Sequence, residues 1–223
     1  GAFPNYQRSV FAKTGEKLGN ATLYDVAKRF GLGERTGVTL PGESPGIIRP
    51  LGRWDGYSLR RVPFGQEISV TALQLAMAFE SIANGGLLLK PRLIDHVSDA
   101  RGRVVWRSRT QVVRRVLSPQ VAAQSLAVLT EVVQRGTGKA CRMKNWTSFG
   151  KTGTAESGIP QQNPHAWFVG FAPADDPEIA IAVVVEYSGE GAKFAAPLFR
   201  KVVEAYFHLE PTPTPTATVT ITP

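Results

Sequence analysis

A chain of 223 residues, 43% hydrophobic and 20% charged, can enclose a core and reads as one globular domain for most of its length. Its formal charge of +8 favours anionic surroundings, but Arg60-Arg61 and Arg114-Arg115 are short, separated and free of interleaved aromatics, which argues against nucleic acid as a partner. The single Cys141 excludes an internal disulfide, no run reaches membrane-spanning length, and the first residues lack a signal-peptide pattern, so any targeting or anchoring segment is expected outside this chain.

Taken in order, Val10 to Leu18 is expected to form an amphipathic helix stopped by Gly19. A second helix follows, with Thr22 as a possible cap, Leu23, Val26, Ala27 and Phe30 on one face, and Gly31 as its end. The stretch from Gly31 to Gly65 is crowded with glycine and proline and reads as an ordered, irregular loop whose sharpest turn is Pro41-Gly42-Glu43. Thr71 and Gln74 form a capping box that opens the strongest helix, with Ala72, Leu75, Ala76, Phe79, Ile82 and Ala83 as its apolar side and Asn84-Gly85-Gly86 as its stop. Short strands are expected at Leu87 to Leu89, at Ile94 to Val97 and at Val104 to Trp106, the last two joined by a turn at Asp99 to Gly102. Ser118-Pro119 then starts a helix bearing Ala122, Leu126, Leu129, Val132 and Val133, which ends at Gly136-Thr137-Gly138.

Beyond it, His165 to Phe171 and Ile179 to Tyr187 are rich in aromatic and β-branched residues and read as a hairpin of core strands. Pro197 is expected to begin a last helix, packing on that sheet through Leu198, Val202, Ala205 and Tyr206. From Glu210 the alternation of Thr and Pro cannot build a core, which divides the chain into a domain at 1–209 and a flexible tail at 210–223.

The chemistry concentrates at Gly150-Lys151-Thr152-Gly153-Thr154-Ala155-Glu156. On an edge strand, Lys151 supplies positive charge and the hydroxyls of Thr152 and Thr154 can donate to a carboxylate. Gly153 removes the side chain that would hold an added peptide strand away, and the Thr154 N–H could serve half of an oxyanion hole. A Lys-Thr-Gly tripeptide alone is weak: a second copy, Lys13-Thr14-Gly15, lies in the first expected helix and reads as helix surface.

Other segments give the Lys151 copy its weight. Phe30-Gly31-Leu32-Gly33, Leu40-Pro41-Gly42-Glu43, Gly65 to Thr71, Ala83-Asn84-Gly85-Gly86, Gly136 to Ala140, Gly150 to Ala155 and Ala166 to Pro173 together resemble, in order, the transpeptidase domain of class B penicillin-binding proteins. The resemblance implies an α+β fold, an antiparallel sheet flanked by helices of the penicillin-binding protein and serine β-lactamase type, with its N-terminal part missing here. It also implies peptidoglycan stem peptides as substrate, β-lactams as covalent inhibitors, other cell-wall synthesis proteins as partners, and a place on the extracytoplasmic face of the bacterial membrane, reached only through an anchor outside this chain. Lys151 would orient substrate and assist proton transfer, Thr152 and Thr154 would hold its carboxylate, and Gly153 would admit it. No metal or cofactor is implied.

Two expected motifs are not intact. The nucleophile of that family is the Ser of a Ser-x-x-Lys helix start, and the only match, Ser148-Phe149-Gly150-Lys151, overlaps an extended segment in which residues three apart face opposite ways. The family's Ser-x-Asn positions fall on Tyr6 and Arg8, which cannot substitute simply. The chain is therefore expected to be the C-terminal part of a transpeptidase domain that does not acylate by itself; a non-catalytic relative or a scaffold of the cell-wall machinery is the alternative. Two strands expected upstream are absent as well, so the sheet should expose an edge. Trp167 and Phe168 read as packing residues, Cys141 as buried and inert, and His96, His165 and His208 as surface or satisfied histidines without metal-ligand spacing.

Overall fold

The computed structural model describes residues 8–211, so Tyr6 and nearly all of the Thr/Pro tail lie outside the described residues. The two expected N-terminal helices form α1 (Arg8–Arg29), broken at Gly19, whose φ of 81° and ψ of 159° leave the helical region. Glycine adopts that conformation without the steric cost of a side chain. The helix resumes directly behind it, which places Thr22 inside the new first turn instead of at its cap. At the far end Leu32 N–H donates to the Ala27 carbonyl and Gly31 N–H to that of Lys28, a Schellman closure with Gly31 at φ 79°. Arg114 adds donors to the Lys28 and Arg29 carbonyls at 2.9 and 2.7 Å, a cation at the negative end of the helix.

The glycine- and proline-rich stretch is ordered, as expected, and carries short elements. β1 (Ile47–Ile48) pairs antiparallel with β2 (Ile68–Ser69), and α2 (Ser58–Arg61) packs on α1. There the second Lys-Thr-Gly copy departs from a pure helix surface. Lys13 and Thr14 are exposed, but Gly15 is buried where a Cβ would strike the Leu59 carbonyl and the Pro63 ring.

α3 (Ala72–Ala83) has the expected capping box, yet its most buried residues are Gln74, Met77, Ala78 and Ser81 instead of the Leu75 and Phe79 side. None of the helix's residues is fully exposed, and it packs against apolar clusters on two sides. Met77 packs with Leu88 and Val116, while Phe79, Ile82 and Ala83 pack with Leu129, Phe149 and Phe171. Gln74 ties the irregular stretch to this helix: its Nε2 donates to the carbonyls of Glu34 and Pro45 at 2.8 Å each, and its Oε1 accepts from Thr71 N–H at 2.9 Å.

β3 (Leu87–Leu89) pairs with β6 (Val112–Arg115), a strand the sequence did not announce because two valines followed by two arginines give no alternation. β4 (His96–Ser98), two residues later than expected, pairs with β5 (Val104–Arg107) in a hairpin exposed along both strands. α4 (Pro119–Gln134) starts at Ser118, whose hydroxyl accepts from Val121 N–H, and buries Ala122, Leu129, Val132 and Val133 as expected.

β7 (Phe149–Ala155), β8 (His165–Ala172) and β9 (Ile179–Val185) form a three-stranded antiparallel sheet in that order, with α5 (Gly191–Tyr206) packed on it. Alternation along β8 sends Ala166, Phe168 and Ala172 toward α5 and Phe171 toward α3 and α4. Two expectations about α5 are corrected. It begins at Gly191, with Pro197 inside it, and it buries Ala195, Ala196, Phe199 and Val203, leaving Leu198, Val202 and Tyr206 exposed. Two adjacent alanines let the helix approach the sheet closely, and a face chosen from Pro197 onward misses them.

Replacing Gln74 with Ala leaves the Glu34 and Pro45 carbonyls of the loop without their side-chain donor. We expect a loss of about 2 kcal/mol or more in denaturant unfolding, with faster amide exchange between residues 31 and 46. An unchanged midpoint and unchanged exchange would show that Gln74 does not hold the loop.

Candidate functional site

The candidate site lies on β7, which among the described residues is an edge of its sheet. Its position depends on close backbone approach. Gly150 faces Gly170 across the strand pair, and a Cβ on Gly150 would come within 2.5 Å of the Phe168 ring. At the other end of the motif a Cβ on Gly153 would come within 3.0 Å of the Trp167 Cβ, and Gly191, at the start of α5, backs directly onto the Gly153 backbone. The small size of Gly153 thus already serves the packing of β8 and α5. Phe168 is fully buried and Trp167 half-buried, both packing residues as expected.

Lys151 lies half-buried on the strand, and its Nζ donates to the Thr152 carbonyl at 2.9 Å and reaches the Thr152 hydroxyl at 3.5 Å. Burial holds its ammonium below the usual lysine range, because an apolar surrounding disfavours the charged form. Thr152 Oγ1 stands 2.7 Å from Thr137 Oγ1 on the turn after α4. Thr154 is exposed, and its hydroxyl accepts from Gly191 N–H at 3.4 Å. Lys151, Thr152, Gly153 and Thr154 are therefore brought together, and Thr137 joins them. The sequence places Thr137 at a helix end and in a segment that resembles the family, but gives it no role in the site; the two glycines flanking it are the available signal of a tight turn.

The remaining candidates lie elsewhere. Arg8 is the first residue of α1, with its guanidinium 5.7 Å from the Phe64 ring centroid. Ser148 is 1% exposed, in the core beside Cys141. Burial pushes the Cys141 thiol up to about 12 against the smaller pull of the Ser148 hydroxyl, which makes it an inert core residue. Phe149 already belongs to β7, so the backbone from Ser148 to Lys151 is extended and not helical. Among the described residues no group of three His, Cys, Asp or Glu side chains could hold a metal.

The penicillin binding protein transpeptidase domain, as a family, matches residues 2–204. The chain belongs to the penicillin-binding protein transpeptidase family. It is 34% identical over 232 residues to penicillin-binding protein PbpB of Mycolicibacterium smegmatis, covering 91% of this chain and 35% of that protein. Stage V sporulation protein D of Bacillus subtilis is 35% identical over 181 residues, covering 79% of this chain and 28% of that protein. Among solved structures, penicillin binding protein 3 of Mycobacterium tuberculosis, complexed with aztreonam, superposes with a TM-score of 0.82 at 30% identity, covering 96% of this chain and 52% of that one. An imipenem acyl-enzyme complex of penicillin-binding protein A from the same organism gives 0.82 at 30% identity, covering 92% and 46%. The chain thus spans about a third of the curated relatives and about half of the solved chains. The α+β architecture, an antiparallel sheet flanked by helices, is the transpeptidase fold of these penicillin-binding proteins.

Burial of Lys151 gives a signed pH dependence. Between the lowered folded pKa and the ordinary 10.5, the unfolded chain binds more protons, so this group makes stability rise with pH across that window. Replacing Lys151 with Met removes the titrating group. The stability of K151M relative to the unaltered protein is expected to be greatest near neutrality and to shrink toward pH 10.5 in paired denaturation curves. A difference that stays constant from pH 8 to 10.5 would contradict the burial of a charged Lys151.

Proposed function

We propose that β7 is the carboxylate-binding wall of a peptidoglycan D,D-transpeptidase site. The observation that carries this reading is the grouping of Lys151, Thr152 and Thr154 on an edge strand, in a chain whose relatives include proteins named peptidoglycan D,D-transpeptidase. A carboxylate only accepts hydrogen bonds, and this edge offers an ammonium and two hydroxyls. A peptide laid along β7 would gain main-chain hydrogen bonds as an added strand, with its terminal carboxylate received by Thr152 and Thr154. Lys151, held below its usual pKa by burial, is suited to orient the substrate and to assist proton transfer. Gly153 keeps the strand free of a side chain where the substrate approaches.

In the whole protein this wall would serve cross-linking through an acyl-serine, with the serine and its lysine on a part of the polypeptide beyond these residues. β-Lactams would acylate that serine. The protein would work on the extracytoplasmic face of the cell membrane, anchored through a segment outside this chain and alongside other cell-wall synthesis proteins. Residues 1–209 would be the transpeptidase portion and 210–223 a flexible tail. A second reading, a non-catalytic binding protein of the same family, is favoured by Tyr6 and Arg8 at the Ser-x-Asn positions. The coding sequence upstream separates the two, since an in-frame Ser-x-x-Lys there supports the enzyme and a start codon with a signal peptide at Gly1 removes it.

The 223-residue chain treated with a fluorescent penicillin is expected to remain unlabelled in denaturing gels and intact-mass spectra. A stoichiometric acyl adduct on any of its serines, Ser148 above all, would contradict the assignment of β7 as a wall without its own nucleophile.

A further inference from the structure

We propose that Thr137 is a positioning residue for this wall: it fixes the Thr152 hydroxyl as a hydrogen-bond donor to the substrate carboxylate, an inference that rests on the reading of β7 above. The two hydroxyl oxygens are 2.7 Å apart, and geometry alone lets either be the donor. Lys151 takes one acceptor position of Thr152 under either direction, and the acceptor-only chemistry of a carboxylate ligand selects between them. The Lys151 ammonium, 3.5 Å from Thr152 Oγ1, can only donate, and a hydroxyl has one hydrogen and two acceptor positions. With Lys151 directed at one acceptor position and Thr137 donating into the other, the Thr152 hydrogen is left for a ligand at the open edge. The opposite arrangement, with Thr152 donating to Thr137, would turn lone pairs toward an incoming anion and repel it.

The turn that carries Thr137 is held firmly enough for this role. Gly136 N–H donates to the Glu131 and Val132 carbonyls at 3.1 Å each, and Gly138 N–H donates to Val132 at 3.0 Å. Both glycines are buried against the last turn of α4, and a Cβ on Gly138 would come within 3.2 Å of the Val132 carbonyl. Arg142 Nε binds the Val133 carbonyl at 3.2 Å, and Cys141 Sγ binds that of Gly138 at 2.9 Å. Thr137 is half-buried between its glycines, so its backbone is anchored while its hydroxyl stays beside β7. α4 thereby sets the orientation of a hydroxyl on a strand it packs against, which preorganises the donor before the ligand arrives.

The test is a titration, followed by NMR, of the chain with N-acetyl-D-alanyl-D-alanine and, separately, with its methyl ester, which lacks the anionic carboxylate. Replacing Thr137 with Val keeps the shape and removes the hydroxyl. T137V is expected to weaken binding of the acid roughly three- to tenfold and to leave the ester unchanged, while T137S binds both as the unaltered chain does. T137A, read in the same way, covers the case in which valine disturbs folding. Equal losses for acid and ester, or an acid affinity unchanged in both variants, would overturn the role of Thr137 while leaving the wall intact. An unaltered chain that prefers the ester, or binds neither ligand, would overturn the wall itself and Thr137 with it.

Discussion

The geometry of the site depends on how closely three backbones meet around β7. Gly150 and Gly170 face each other across β7 and β8 beneath the Phe168 ring, and Gly191 brings the start of α5 onto Gly153. A side chain at any of these positions would have to displace backbone or an aromatic ring. Burial of Phe168, Phe199, Ala195 and Ala196 in one cluster supplies the apolar drive that keeps these layers in contact. One edge of β7 is thus fixed by dense packing while, among the described residues, no strand pairs with the other, the arrangement a strand needs if a ligand is to add to it.

The helices on the other side complete the placement. α3 is enclosed between two apolar clusters, and through Gln74 it holds the irregular stretch that follows α1. α4 packs against β7 and then turns tightly at Gly136 to Gly138, which brings Thr137 to Thr152. Lys151 sits where burial depresses its ammonium, and Thr154 rests on the first amide of α5. Each side chain of the motif is therefore set by a different element: Thr152 by the turn after α4, Thr154 by α5, and Lys151 by its own strand.

Much of this was legible in the residues because local chemistry and burial agreed. The Thr71 capping box, the Ser118-Pro119 start, the Gly19 interruption and the strands at His165 and Ile179 all carry strong local signals, and each lies where the sequence placed it. What escaped depended on tertiary surroundings. The deeply buried side of α3 is not its most apolar side, because Gln74 and Ser81 are buried for their hydrogen bonds and small size. The face of α5 was misread because its sheet contact is made by alanines that precede Pro197. The four motif residues on β7 were readable from spacing and family resemblance, but no periodicity links Thr137 to a strand fifteen residues on.

The proposed chemistry would match an acceptor-only anion with fixed donors. A carboxylate in water is already well solvated, so a wall that binds it must offer donors whose orientation is set in advance. Under the proposed reading, the hydroxyls of Thr152 and Thr154 and the ammonium of Lys151 would be those donors on one strand edge. The most direct measurement is a crystal structure of the protein with a peptide ending in two D-alanines. The account predicts the peptide extended along β7, with its carboxylate at about 2.7–3.0 Å from the Thr152 and Thr154 hydroxyls. A carboxylate bound away from both threonines, or a peptide that leaves the β7 edge bare, would contradict it.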